Sequence, residues 1–337
     1  MPGIGEIAER TGLSKSTVSR ALRGLPTVAG ETLALVRAAA DELGYIPSAA
    51  ASGLATGRNL AIGALVPVLG RWFYTRVLEG ADEELRRRGY DMLLYNLGGG
   101  HAERERAFHR SILRRRVDGL LVLALTFTED ESRELAQADF PAIAVGGPAA
   151  GVRHIGVDDH QAAYLATAHL IDLGHTRIAQ IGGSDVMGLN AAVPTNRLSG
   201  YRHAMTDAGL RIREDWIVDG GYAFGGGDEA ARRLFADPRD APTAVFATSD
   251  EMAFGAMAWL GRAGLRVPDD VSIVGIDGHE DGAHYGLTTV AQYPAEQGAL
   301  AARHLLDEIE GAPPVDGFDP ARFEFVVRAS TAAALRR

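Results

Sequence analysis

The sequence predicts a small all-helical N-terminal unit followed by an α/β body built on parallel sheets in two lobes. Residues 1–46 carry helical spacing throughout. From Leu60 onward, short apolar strands alternate with amphipathic helices, and the strand–helix units are too many for one compact sheet. A chain of 337 residues is also too long for one ordinary core. The expected division is residues 1–46, a linker at 47–58, and the two-lobed body at 59–337.

In the first unit, IGEIAERTG places Ile4, Ile7 and Ala8 on one helical face, and Gly12 with Leu13 makes a turn. Ser14 then stands as N-cap of a second helix, with Val18, Ala21 and Leu22 turned inward. A third helix is expected from about Glu31 to Leu43, with Leu35, Val36, Ala39 and Leu43 inward and Gly44 as its C-terminal cap. The segment PSAAASGLATGR can open a helix at Pro47, but it contains Gly53 and ends at Gly57. A helix that short is marginal by itself, so residues 47–58 read as a conditional linker.

In the body, strands are expected in LAIGALVPV, YDMLLYNL, VDGLLVLAL, PAIAVGG, RIAQIGG, TAVFATS and VSIVGID. Helices are expected over 75–88, 103–115, 161–173, 196–208 and 251–263. Apolar strands of this kind are covered on both faces, and ligands of such sheets lie at the carboxyl ends of the strands. Polar residues that follow apolar runs are therefore the binding candidates: Asp277 after VSIVGI, Ser249 and Asp250 after AVFAT, and Gln292 after LTTVA. Arg197 opens the helix beyond RIAQIGG. Asp250 reads as the helix cap of its pair, which leaves Ser249 for the pocket. Trp72, Phe73 and Tyr74 fall in a loop after the first strand. Three successive aromatics there cannot all enter one core, so at least one is expected to line the cleft.

Composition excludes several chemistries. There is no cysteine, so neither a disulfide framework nor a thiolate site is available. The net charge of −10 argues against a protein that coats nucleic acid, but allows a small DNA-reading module on an acidic body. No apolar run reaches the length of a membrane span, and the acidic start lacks the form of a signal peptide, so the cytoplasm is the expected location. The glycine-rich runs at 98–101 and 220–228 lack the phosphate-loop pattern, no GxSxG elbow occurs, and the histidines lack metal-ligand spacing. Asp158, Asp159 and His160 could bind a metal; the preferred reading is a crossing between lobes that caps the helix from Gln161. No catalysis, no metal and no cofactor are expected.

Helix, tight turn, helix is the arrangement that lays a second helix in the DNA major groove. Here it leaves Lys15, Ser16, Thr17, Ser19 and Arg20 facing outward, side chains that can donate to base edges or phosphates. A polar solvated face is the plain alternative. IGEIAERTGLSKSTVSRALRG followed by DELGYIPSAAASGLATGR resembles the lactose-repressor (LacI/GalR) family. LIDLGHTRIAQIGG, NRLSGYRHAM, PTAVFATSDEMAFGAM, LRVPDDVSIVGIDG, GLTTVAQ and VVRAST carry that resemblance, in order, along essentially the whole chain.

The resemblance implies a transcriptional regulator, with base contacts from Lys15, Ser16 and Arg20 and phosphate contacts from Thr17 and Ser19. It implies a hinge helix that folds on operator DNA and a minor-groove wedge from Leu54, with Gly53 and Ser52 departing from the usual pattern. It further implies a body like that of periplasmic sugar-binding proteins, with three crossing strands and an effector in the cleft. Arg197 and Asp277 would be its strongest contacts, and Tyr222 a stacking aromatic. A sugar or related polyol suits these residue types, and so does a nucleobase. A homodimer on a near-palindromic site is the expected assembly. The rival readings are a solute-binding protein or a sugar-processing enzyme of similar shape.

Overall fold

The computed structural model describes residues 2–22, 28–45, 58–98, 116–138, 140–149, 151–183, 192–313 and 317–335. Contacts divide the chain into two compact units, Met1–Leu60 and Ala61–Arg337. The first contains α1 (Ile4–Thr11), α2 (Lys15–Leu22) and α3 (Gly30–Glu42). Gly12 adopts φ 69° between α1 and α2, a left-handed turn that costs a glycine little. Ser14 holds the start of α2 from both its backbone and its side chain: the Thr17 N–H donates to Ser14 O at 2.9 Å and to Ser14 Oγ at 3.2 Å. Ile7, Ala8, Val18, Ala21, Val36, Ala39 and Ala40 form the small core. Leu35 does not join it: the residue is 50% exposed, because Val36 and Ala39 already fill the inward stripe of α3. The expected linker and the expected helix at 103–115 lie outside the described residues, apart from Arg58.

The second unit has two sheets of like topology. Strands β1 (Ala61–Val66), β2 (Asp91–Asn96), β3 (Gly119–Leu123), β4 (Ala142–Val145) and β5 (Arg153–Gly156) lie in the order β5-β4-β3-β1-β2. All are parallel. Helices α4 (Trp72–Arg87) and α5 (Glu129–Ala136) connect them in sequence. The second sheet follows the same plan with β6 (Ile178–Gly182), β7 (Ile217–Asp219), β8 (Ala244–Ala247), β9 (Ser272–Asp277) and β10 (Thr288–Ala291), ordered β10-β9-β8-β6-β7. Helices α6 (Asp159–Asp172) and α7 (Ala192–Asp207) pack on one face of it, and α8 (Phe224–Leu234) and α9 (Asp250–Arg262) on the other. In both sheets the strand order reverses beside the first strand, which is where open α/β sheets bind ligands.

The lobes exchange chain repeatedly. After β5 the chain enters α6 in the second lobe. After β10 it returns as α11 (Pro294–Ile309), whose Ala301, Ala302, Leu305 and Leu306 complete the core of the first lobe; the short α10 (Gly282–Tyr285) precedes β10. Strand β11 (Phe318–Pro320) then pairs with β5, and β12 (Glu324–Val326) lies antiparallel on β10. The described residues thus contain the three crossings that the resemblance implied.

Helices α4 and α11 meet backbone to backbone. A Cβ on Gly80 would fall 1.9 Å from Ala295 O, and one on Gly298 would fall 1.9 Å from Val77 O. Gly80→Ala is therefore expected to lower stability by about 1–3 kcal/mol through overpacking, although alanine is the better helix former. Urea denaturation checks the sign; unchanged or raised stability would show that the helices can separate without cost.

Candidate functional site

A cleft of about 550 Å³ opens between the lobes at the carboxyl ends of the strands. Phe73, Tyr74, Arg197, Tyr222, Ser249, Asp277 and Gln292 all line it. Its two walls differ in character.

The second lobe supplies a polar wall. Asp277 ends β9 with φ 147°, and its Oδ1 accepts from Gln292 Nε2 at 2.6 Å. Burial drives the Asp277 carboxyl well above the ordinary aspartate range, and the neighbouring Asp250 adds to that. Arg197 is 5% exposed. Its Nε donates to Asp159 Oδ1 at 2.7 Å, and its terminal nitrogen donates to the Thr248 carbonyl. Burial alone would pull Arg197 down, but Asp159 offsets this and the guanidinium stays charged above its usual value. Burial raises Asp159 in turn, against the attraction of Arg197. The Tyr222 ring lies against Gly183, where a Cβ would come within 1.9 Å of it. Its hydroxyl is buried beside that of Thr248, and neither has a well-formed partner elsewhere among the described residues. Burial raises the Tyr222 phenol to about 12, although the neighbouring Thr248 hydroxyl lowers it.

The first lobe supplies an apolar, aromatic wall. Phe73 packs on Gly146, whose φ of 77° and missing side chain admit the ring; a Cβ there would sit 2.7 Å from Phe73 Cε1. Tyr74 meets Phe73 edge-on at 5.9 Å, and burial raises its phenol to about 12. His154 stacks on Phe318 at 4.7 Å, and burial lowers its pKa, which favours the neutral ring. Ala124, Tyr222 and Asp277 are non-glycine residues at positive φ, and all three line the cleft. Backbone strain of this kind collects at ligand sites.

The structure corrects several sequence expectations. Trp72, expected among the effector residues, does not line the cleft. It belongs to the first turn of α4, so the aromatic triplet opens a helix rather than filling a loop. Its ring stacks on His279 at 4.7 Å and its Nε1 donates to Glu280 at 2.6 Å. The cap of α9 is Ser249, whose side chain accepts from Met252 N at 3.3 Å, while the same residue also lines the cleft. Asp250 is not a cap: it is fully buried and accepts from the N–H groups of Gly278 and His279 and from the Thr289 hydroxyl at 2.9, 2.8 and 2.7 Å. Arg197 lies in the second turn of α7, which starts at Ala192 rather than at 196.

Asp158 caps α6 by accepting from Gln161 N at 2.9 Å, as the sequence suggests. Sequence reasoning did not assign the cleft residues Arg71, Asp159, His154 and Glu251 to effector binding. For Asp159 a signal existed, since a carboxylate beside a crossing can pair with a buried arginine. Among the described residues, no group of metal-ligating side chains could hold an ion.

On α2, Lys15, Ser16 and Arg20 are exposed, and Thr17 and Ser19 are partly so. Ser14 Oγ lies 2.9 Å from both Ser16 Oγ and Thr17 Oγ1, and Arg20 Nε donates to Ser16 O at 3.3 Å. These side chains share the face away from Val18 and Ala21. Leu54, with Ser52 and Gly53, lies outside the described residues.

Residues 3–48 match the family model of bacterial regulatory proteins of the lacI family, and residues 167–331 match a periplasmic binding protein-like domain. The chain is 35% identical over 315 residues to the HTH-type transcriptional repressor PurR of Vibrio campbellii, covering 92% of each chain. It belongs to the LacI family. The PurR of Pasteurella multocida is 33% identical over 314 residues, again with 92% of each chain covered. Among LacI-family structures, the lac repressor dimer bound to operator and the anti-inducer ONPF matches at 26% identity with a TM-score of 0.85, covering 98% of this chain and 99% of that one. A transcriptional regulator CelR–cellobiose complex matches at 30% identity with a TM-score of 0.71, covering 98% and 100%. This LacI-family chain is a DNA-binding transcriptional repressor with a small-molecule effector, and not an enzyme. No helix among its described residues is long and apolar enough to cross a membrane.

Proposed function

We propose that the effector is an uncharged sugar, and that it controls a homodimer reading a near-palindromic operator. The modules are residues 1–46 for DNA, 47–58 as a hinge that carries Leu54 into the minor groove, and 59–337 for effector binding and dimerisation. Lys15, Ser16 and Arg20 read bases, and Thr17 and Ser19 contact phosphates. The effector contacts are Phe73, Tyr74, Arg197, Tyr222, Ser249, Asp277 and Gln292.

The two-faced character of the cleft carries this reading. A pyranose offers C–H faces to the rings of Phe73 and Tyr74 and hydroxyls to Asp277, Gln292 and Tyr222. Among the described residues, the two guanidinium groups that line the cleft already donate to protein acceptors: Arg197 to Asp159 and Thr248, and Arg71 to Gly221 O at 3.1 Å. Asp158, Asp159, Glu251 and Asp277 line the same cleft, an acidic set that offers acceptors to hydroxyl donors and, where ionised, repels an anion. A sugar phosphate fits such a site poorly. The cellobiose bound to CelR and the operator-bound lac repressor dimer support the effector class and the assembly.

A thermal-shift panel of neutral mono- and disaccharides, sugar phosphates and nucleobases tests the reading. A neutral sugar at a hundredfold excess over its dissociation constant stabilises the protein by about 2.7 kcal/mol. The shift disappears in Phe73→Ala. Shifts confined to nucleobases or sugar phosphates would overturn the assignment. Coupling between effector and operator is reciprocal, so the same ligand must change operator affinity by the factor that operator changes its own.

A further inference from the structure

We propose that Arg71 and Trp72 form a clasp across the cleft mouth, positioning the effector-binding residues of one lobe against those of the other. Both belong to the first lobe, at the N-terminus of α4, and both reach into the second. Arg71 donates to Gly221 O at 3.1 Å. The Trp72 indole N–H donates to Glu280 Oε2 at 2.6 Å, and its ring lies nearly flat on His279, with centroids 4.7 Å apart and planes at 25°. His279 in turn meets Phe254 edge-on at 5.2 Å, and Phe254 packs on Tyr285 at 4.8 Å, so the clasp continues as an aromatic ladder into the second lobe.

The clasp borders the cleft in sequence and partly lines it: Arg71 and Gly221 are themselves at its wall, Trp72 precedes Phe73 and Tyr74, Gly221 precedes Tyr222, and His279 and Glu280 follow Asp277. Each bond of the clasp therefore fixes a backbone segment that carries an effector contact. The second-lobe side is braced independently, because Asp250 holds the amides of Gly278 and His279. That brace covers the 278–279 segment alone, so opening of the clasp frees the α4 end and the Gly220–Ala223 turn that Arg71 holds. Trp72 and Glu280 are positioning residues: neither touches the cleft, and the clasp acts whatever the effector is.

Hydrogen–deuterium exchange on the full chain, without added ligand, tests this. Glu280 is exposed, so Glu280→Ala is expected to fold, and Trp72→Phe keeps the stack while removing the N–H donor. Loss of one hydrogen bond to a charged acceptor speeds local opening by about tenfold. Each variant is expected to accelerate exchange on both sides of the mouth: at Thr75, whose amide is held by Arg71 O, and at Ala223, whose amide is held by Gly220 O. The double variant is expected to exchange no faster than either single one. Acceleration confined to the segment that carries the substitution, or additive effects in the double variant, would overturn the clasp.

Discussion

Arg197→Ala is expected to lower stability by about 3–5 kcal/mol and to remove the response to effector. The guanidinium and the Asp159 carboxylate are only 6% and 12% exposed as side chains, so solvent does little to screen them. Truncating Arg197 leaves a buried carboxylate without its cation and strips the Thr248 carbonyl of its donor. Burial already raises Asp159 in the presence of Arg197, and without the arginine the shift grows. A folded-state carboxyl pKa above the unfolded value means that the folded state holds more protons, so stability falls as pH rises through that window. The penalty of Arg197→Ala should therefore be smaller at low pH, where Asp159 is neutral, and grow towards neutrality. Urea titrations across pH check this, with Arg197→Ala/Asp159→Asn as a companion. If the double variant is no more stable than the single one, the unpaired carboxylate is not the source of the loss.

The second large effect concerns DNA. Arg20→Ala should weaken operator binding by about 1–3 kcal/mol, while binding to unrelated DNA changes far less. Arg20 is exposed on α2, and its Nε rests on Ser16 O, which holds the stem along the helix and leaves the fork to project from the face shared with Lys15 and Ser16. Thr17→Ala is the contrasting substitution. A phosphate contact is indifferent to sequence, so its loss should weaken both kinds of binding alike. Titrations at one fixed salt concentration on operator and scrambled duplexes separate the two, since salt shifts every phosphate term. Equal losses for Arg20→Ala on both duplexes would reject base reading.

The helical unit was legible because its cues are local. Gly12 marks the turn, Ser14 caps α2, and the apolar spacing places Ile7, Val18 and Val36 together. The strands were legible as apolar runs closed by polar residues, and Asp277, Gln292 and Ser249 all reach the cleft as that rule requires. Helices α5 and α11 were missed although each carries a local cue, the capping box of Thr128 with Glu131 and Pro294 in the first turn; other misses had none. Helix α4 starts at Trp72 behind Arg71, which makes no side-chain cap bond, so nothing in the sequence marks its first turn. Helix α8 contains Gly225, Gly226 and Gly227, which oppose a helix by propensity. Packing requires two of them, since a Cβ on Gly226 would lie 1.8 Å from Gly220 O and one on Gly227 would lie 2.1 Å from Met252 O. Ser249 lines the cleft as expected and takes the cap as well, whereas the buried role of Asp250 rests on partners far along the chain, Gly278, His279 and Thr289, which a reading of neighbouring residues does not reach.

The repeated exchange of chain between the lobes bears on how such proteins diversify. The first lobe is discontinuous, drawn from β1 to β5 and again from α11 to β11. No single recombination junction can swap one lobe for a homologue's without splitting the other. A junction near residue 60 divides the chain where the compact units divide. Operator preference and effector preference can therefore be reshuffled as whole inheritable blocks. The specificity of the cleft must instead evolve residue by residue within a body that is inherited intact.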